Sequence, residues 1–317
     1  MNKWIALLFF ICFSENLHGA ESKSPLLIVV VGAPGESEFE GRFQQWATNW
    51  KNLCRKTQVD FQDVGLSPTN QVADKEQFKS LLTTAATNSL LELWIVLIGH
   101  GTFDGKEAKF NLRGPDFSSM ELLDWIKPIK CPIIVINTAS SSGPFINHLS
   151  APGRIIITGT NSGYEQNYTR FGQYFSECIG QPDADLDKDG QTSLLETFLI
   201  ASRRVDEFFK VEGRLASEHA LLDDNGDGLG TPADWFQGLR AVKKPKDAVL
   251  VDGARAHQFH LLKSPRELSL SSEQRIQRDA LERKFMELRE KKAQMNESQY
   301  YLELEHLLLE LEPFYRQ

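Results

Sequence analysis

Apolar and polar positions along the chain fall into a repeated order. The run "LLIVVV", Leu26–Val31, is uninterrupted and reads as a strand buried on both faces. After the turn "GAPGE" the apolar period lengthens, which places Phe43, Trp46 and Trp50 on one side of a helix. A weaker strand, "TQVDFQDVG", precedes a helix over 75–86, and "LLELWIVLIGHG" is a second apolar strand. Helical periodicity at 119–126 leads into the strand "CPIIVIN", and a short helix at 143–149 leads into the strand "GRIIITGT". Apolar strands alternating with helices predict an α/β fold, a mostly parallel sheet with helices on both faces.

Chemistry in such a sheet gathers at the carboxyl ends of the strands. Here those ends carry "GAPGE", "GHGTFDG", "NTASSSG" and "TGTNSG". The first lacks both the lysine of a phosphate loop and the spacing of a dinucleotide fingerprint, so no nucleotide site is expected.

The pattern changes from residue 243. "KKPKDAVLVDGARAHQFHLLKSPRELSLSSEQRIQ" reads as a polar connector, after which Ser272 caps a long charged helical region. Leu281, Leu288, Met295 and Leu302 recur every seven residues, but Lys292 and Gln299 occupy positions that should complete the seam. That half-seam predicts a helical arm, broken near Asn296, packed on its own domain or on a second copy in a homodimer. A polar connector also predicts that a chain ended before Lys243 still folds.

With 317 residues, 41% hydrophobic and 25% charged, the chain suffices for one large domain or a domain with an appendage. The formal charge is -8 and no basic cluster stands out, which argues against nucleic acid as a partner. The opening "MNKWIALLFFICFSENLHGAES" has a lysine, a short apolar run and then Gly19 and Ala20, the order of a cleaved leader over residues 1–20. The run is too short to cross a bilayer, so the mature protein is expected to be secreted or periplasmic with no membrane span. Cys54, Cys131 and Cys178 would remain, enough for at most one internal disulfide, and no Cys/His cluster suggests zinc.

Two aspartate-rich loops bring in metal chemistry. "DLDKDGQTSLLE" sets Asp185, Asp187 and Asp189 at loop positions one, three and five, Gly190 at six, Gln191 at seven and Glu196 at twelve. That is EF-hand spacing, in which alternating carboxylates and a final glutamate converge on Ca2+. "DDNGDGLGTPAD" repeats it with Asp223, Asn225, Asp227, Leu229 as the carbonyl donor, and Asp234, although Asp234 is shorter than glutamate and Pro232 interrupts the loop. The loops begin 38 residues apart, which predicts two adjacent helix-loop-helix units.

"VVVGAPG", "GRFQQ", "LWIVLIGHGTFDG", "IIVINTASSSGPF" and "IIITGTNSGYEQNYTRFGQYF", in this order, resemble the legumain-like branch of the caspase-fold cysteine peptidases. The resemblance implies that His100 is the dyad histidine, that the Gly101 amide helps hold the oxyanion, and that Arg42 with Thr160, Asn161 and Ser162 shapes the substrate pocket. The nucleophile cysteine falls on Ser140. A serine hydroxyl stays protonated near neutral pH and needs a base oriented by a third group, whereas a cysteine needs only a nearby imidazole. Asp104, in the loop that follows His100, is the acid within reach by sequence. The implied organisation is a leader (1–20), a caspase/legumain-like α/β domain (25–182), an EF-hand-like calcium segment (183–240), and a connector with a C-terminal helical arm (241–317). Three functions fit it: a catalytically impaired, calcium-stabilised module that binds a peptide or protein; a serine hydrolase using Ser140 and His100; or a calcium-dependent interaction protein acting through its arm.

Overall fold

The computed structural model describes residues 24–66, 72–248 and 250–316; the expected leader lies outside them. Five strands of a seven-stranded sheet run parallel: Leu26–Val31 (β1), Asp60–Val64 (β2), Leu93–Ile98 (β3), Ile133–Asn137 (β7) and Arg154–Thr158 (β8). Between β3 and β7 in the chain lies a small antiparallel sheet of Gly101–Phe103 (β4), Ala108–Phe110 (β5) and Phe117–Ser118 (β6). Leu221–Asp223 (β9) and Thr231–Pro232 (β10) extend the main sheet antiparallel to it, giving the order β10-β9-β8-β7-β3-β1-β2. Helices are Ser37–Cys54 (α1), Asp74–Thr87 (α2), Ser119–Ile126 (α3), Pro144–Leu149 (α4), Phe171–Cys178 (α5), Leu194–Val211 (α6), Pro265–Ser269 (α7), Ser272–Lys291 (α8) and Glu297–Tyr315 (α9).

Side chains of a strand alternate between faces, and both faces here are buried. Leu27, Val29, Val31, Trp94, Val96, Ile134 and Ile136 join one core with Phe43, Trp46 and Trp50 of α1 and Phe198 of α6. Their neighbours Ile28, Val30, Ile95, Leu97 and Val135 join a second core with Phe78 of α2 and Leu122 and Ile126 of α3. Two-sided burial explains why these strands are continuous apolar runs. Parallel pairing sets Leu97 beside Asn137, so the loops leaving β3 and β7 emerge side by side.

Three sequence expectations change. The second acidic loop is entered from β9 and left through β10, so it is not a helix-loop-helix unit: "LLD" pairs with "IIT" of β8, and an open sheet edge captured it. The connector is no free linker, because Ala256 and Leu261 are buried in the first core and the Phe259 ring stands 6.5 Å from Trp94. The cap of α8 is Ser271, whose hydroxyl accepts from Gln274 N, rather than Ser272. Beyond these three, the arm's heptad positions divide, with Leu281 and Leu288 of α8 buried and Leu302 of α9 68% exposed. Among the described residues no helix is long and apolar enough to cross a membrane.

Candidate functional site

His100 follows β3 and Ser140 follows β7, and the sheet brings them to one edge as the sequence pattern required. Their contacts differ from a dyad's. The Ser140 hydroxyl donates to Gly101 O at 3.1 Å and accepts from Gly101 N at 3.2 Å, and the residue is 3% exposed. It therefore cross-links two strand-end loops, and the amide expected to hold an oxyanion is engaged by the serine itself. His100 turns elsewhere: its Nε2 lies 3.1 Å from Pro34 O, and its ring packs edge-on to Phe39 and Phe43 at 5.0 and 5.3 Å.

A carbonyl can only accept, so the Nε2 bonded to Pro34 carries the proton and Nδ1 is left as the basic nitrogen of the neutral ring. Burial lowers the His100 pKa, which favours that neutral form. Pro34 thus takes the orienting place considered for Asp104, whose carboxylate instead accepts from Lys106 N and Glu107 N in its own turn. Pro34 sits in "GAPGE" at the carboxyl end of β1, a location that marks it as a site loop, but a backbone acceptor has no side-chain signature.

The Arg42 guanidinium lies 5.5 Å from the centre of the Tyr168 ring, which stacks on Phe39 at 4.6 Å, so Arg42, Phe39, Tyr168 and His100 form one wall. Tyr168 and Phe39 were absent from the sequence-derived set. Thr160 is fully buried; its hydroxyl bonds Ser142 Oγ and Gly143 N at 3.0 Å and holds the serine turn together. Asn161 is exposed and donates its amide to Glu165, and Ser162 offers its carbonyl to Thr160. Ser141, at φ 55°, is held in the left-handed region, where a non-glycine residue is strained, with its amide on Glu165 O at 2.8 Å.

Cys54 and Cys178 supply no substitute nucleophile, since burial pushes their thiols up to about 12 and about 11. Close packing at Gly101 gives a direct test of the cross-link. A Cβ there would sit 2.3 Å from Ser140 O and 3.1 Å from Lys109 O, both backbone atoms. Gly101→Ala is expected to cost about 1–3 kcal/mol, measured by denaturant unfolding; an unchanged midpoint would contradict the packing described.

The first acidic loop gathers its carboxylates. Gly190 N donates to Asp185 Oδ2 at 3.1 Å, Asp189 N to Asp187 Oδ1 at 3.2 Å and Gln191 N to Asp189 Oδ1 at 3.0 Å, so each carboxylate is turned inward by the backbone. Oxygens of Asp185, Asp187 and Asp189 lie within 4.8 Å of one another. Asp185 is 7% exposed and its Oδ1 has no hydrogen-bond partner, a costly arrangement for a buried carboxylate that a hard cation would relieve. Glu196 reaches under the loop, accepting from Leu186 N at 2.6 Å and Ser193 N at 2.7 Å while Ser193 caps α6. All these donors are oxygen, with the Gln191 carbonyl completing the sequence-derived set, and they suit Ca2+ in chemistry, but the three-acid cluster does not include Glu196, whose oxygens accept from Leu186, Asp187 and Ser193 instead.

The second loop repeats the ladder: Gly228 N to Asp223 Oδ2 at 2.7 Å, Asp227 N to Asn225 Oδ1 at 2.8 Å and Leu229 N to Asp227 Oδ1 at 2.8 Å. It lacks the orphaned oxygen, since Asp223 Oδ1 also accepts from Gly226 N at 3.0 Å. Asp234 lies in a 3-10 turn, outside the three-acid cluster found among the described residues.

No protein-family model and no curated protein matches the sequence. Among solved structures, the chain is similar to the Drosophila initiator caspase Dronc, with a TM-score of 0.44 and 16% identity over 71% of this chain and 94% of that one. It is also similar to caspase-1 from Spodoptera frugiperda, with a TM-score of 0.40 and 8% identity over 64% and 86%. A third, protein GSU0716 from Geobacter sulfurreducens, has a TM-score of 0.43 and 10% identity over 63% and 92%. At such scores these likenesses transfer neither an activity nor a residue role to this chain.

Proposed function

We propose that this chain is a secreted or periplasmic, calcium-loaded binding protein built on a legumain-like peptidase domain whose cleft no longer cleaves, and whose ligand is a peptide or protein. The observation that carries this reading is the state of the Ser140 hydroxyl, whose proton and one lone pair are both engaged by the Gly101 peptide groups. A nucleophile needs its proton on a base, and here it lies on a carbonyl. The wall of Arg42, Phe39 and Tyr168 persists beside it, so a shaped, cationic and aromatic surface outlasts the chemistry. Treating the calcium-loaded protein with a fluorophosphonate tests the reading: no adduct at Ser140 is expected.

One observation favours the alternative, a serine-dependent hydrolase. The Pro34 carbonyl holds the His100 Nε2 proton and leaves Nδ1 basic, so the ring beside Ser140's loop keeps one nitrogen able to act as a base. An adduct that forms at Ser140 and is slowed by His100→Ala would establish that alternative.

Calcium is expected to stabilise the fold, because three carboxylates held within 4.8 Å repel one another without it. At 100 times the dissociation constant the gain is about 2.7 kcal/mol per site. Thermal melts in EDTA and in excess calcium measure it, and Asp185→Ala combined with Glu196→Gln should remove most of the difference. Superimposable wild-type melts would end the calcium assignment.

A further inference from the structure

The first acidic loop is tied to the end of the chain. Asp187 Oδ2 meets His257 Nε2 at 3.0 Å, Gln191 Oε1 accepts from Ser264 N at 3.0 Å, and Leu194 N donates to Phe259 O at 2.8 Å. Residues 257–264 therefore lie directly on the loop. The next residue continues the chain of contacts into the arm: Gln258 Nε2 donates to Asp279 O at 2.9 Å and to Glu282 Oε2 at 2.8 Å, and Arg283 donates to Gln258 Oε1 at 2.8 Å. Glu282 in turn accepts from the Tyr315 hydroxyl at the end of α9, and Arg266 donates to Phe314 O at 2.7 Å. A cavity of about 110 Å³ separates loop and arm, with Asp187 and Gln191 on one side and Arg278 and Tyr315 on the other.

We propose that ion occupancy of this loop sets the docking of the helical arm α8–α9, with His257 and Gln258 as the positioning residues that carry the effect. The proposal rests on the calcium reading of the first loop, which the orphaned Asp185 Oδ1 supports. A bound cation fixes the Asp187 carboxylate and the Gln191 backbone carbonyl, and with them the loop from which Asp187 and Gln191 hold His257 and Ser264. Without it, repulsion among Asp185, Asp187 and Asp189 spreads the loop and moves both anchors. Linkage makes the effect reciprocal, so a docked arm also raises the affinity of the loop for its ion.

Hydrogen exchange on the full chain, with calcium and with EDTA, reads the coupling, and calorimetry with calcium reads binding separately. Amides of α8 and α9 are expected to exchange roughly tenfold faster in EDTA, while β1 and β3 keep their protection. His257→Ala and Gln258→Ala are each expected to bind calcium yet lose the calcium response of the arm; Gln258 touches no ion ligand, so its variant tests the route without disturbing the site. Calcium binding with unchanged arm exchange in the wild type overturns the coupling alone. A calcium response preserved in both variants overturns the His257–Gln258 route. No calorimetric binding overturns the calcium reading and the coupling with it.

Discussion

Ending the chain before Lys243 is expected to abolish cooperative unfolding, the opposite of what the polar composition of the connector implies. Truncation removes Ala256, Leu261 and Phe259 from the first core, and burying a leucine alone is worth about 1.5–3 kcal/mol. It also strips Asp224, 2% exposed, of the amides of Gly253, Arg255 and Ala256, which it holds at 3.0, 2.8 and 2.7 Å. A buried carboxylate without partners costs several kcal/mol. Asp252, which bonds Asp224 N at 3.0 Å and the Thr231 hydroxyl at 2.6 Å, leaves at the same time. Whole domains are stable by only about 5–15 kcal/mol, so these losses together reach the lower end of that range. Thermal circular dichroism of the truncated chain checks this; a sharp transition within a few degrees of the full-length midpoint would show that residues 24–242 complete their own core.

The second large effect concerns Ser140. As a cross-link between the loops after β3 and β7, its hydroxyl satisfies a half-buried donor and acceptor of Gly101, and Ser140→Ala leaves both facing an apolar methyl. The expected loss is about 1–3 kcal/mol, read as a melting midpoint lower by roughly 2–4 °C for each kcal/mol. A catalytic serine behaves differently, because groups held for chemistry are commonly placed at some cost to the fold, and their removal leaves stability unchanged or raised. The sign of the shift therefore separates a structural serine from a nucleophile without any substrate.

Much of the α/β domain was legible because its strands are buried on both faces and its helices on one. "LLIVVV", "LWIVLI" and "IIVIN" are short, rich in β-branched residues and bounded by turn residues, which reads as central strands, and β3 and β7 pair so that His100 and Ser140 leave at one edge. The convergence of Asp185, Asp187 and Asp189 was legible because alternate positions of a tight loop bring their side chains to one side. What stayed hidden has no periodicity. Pro34 acts through a carbonyl, the 250–264 strap through backbone amides on Asp224 and single contacts such as His257 on Asp187, and neither leaves a repeating mark on sequence. The second loop misled for a related reason, since its acid spacing sets the turn but says nothing of what enters it, and β8 offered an open edge to "LLD".

Mass spectrometry of the protein in excess calcium after fluorophosphonate treatment tests the proposal of a silent cleft most directly. The Ser140 hydroxyl donates to Gly101 O and the residue is 3% exposed, so no adduct on Ser140 is predicted over a time that fully labels an active serine hydrolase run alongside. Stoichiometric labelling of Ser140, lost in Ser140→Ala and slowed in His100→Ala, would contradict the account and make the cleft an active site.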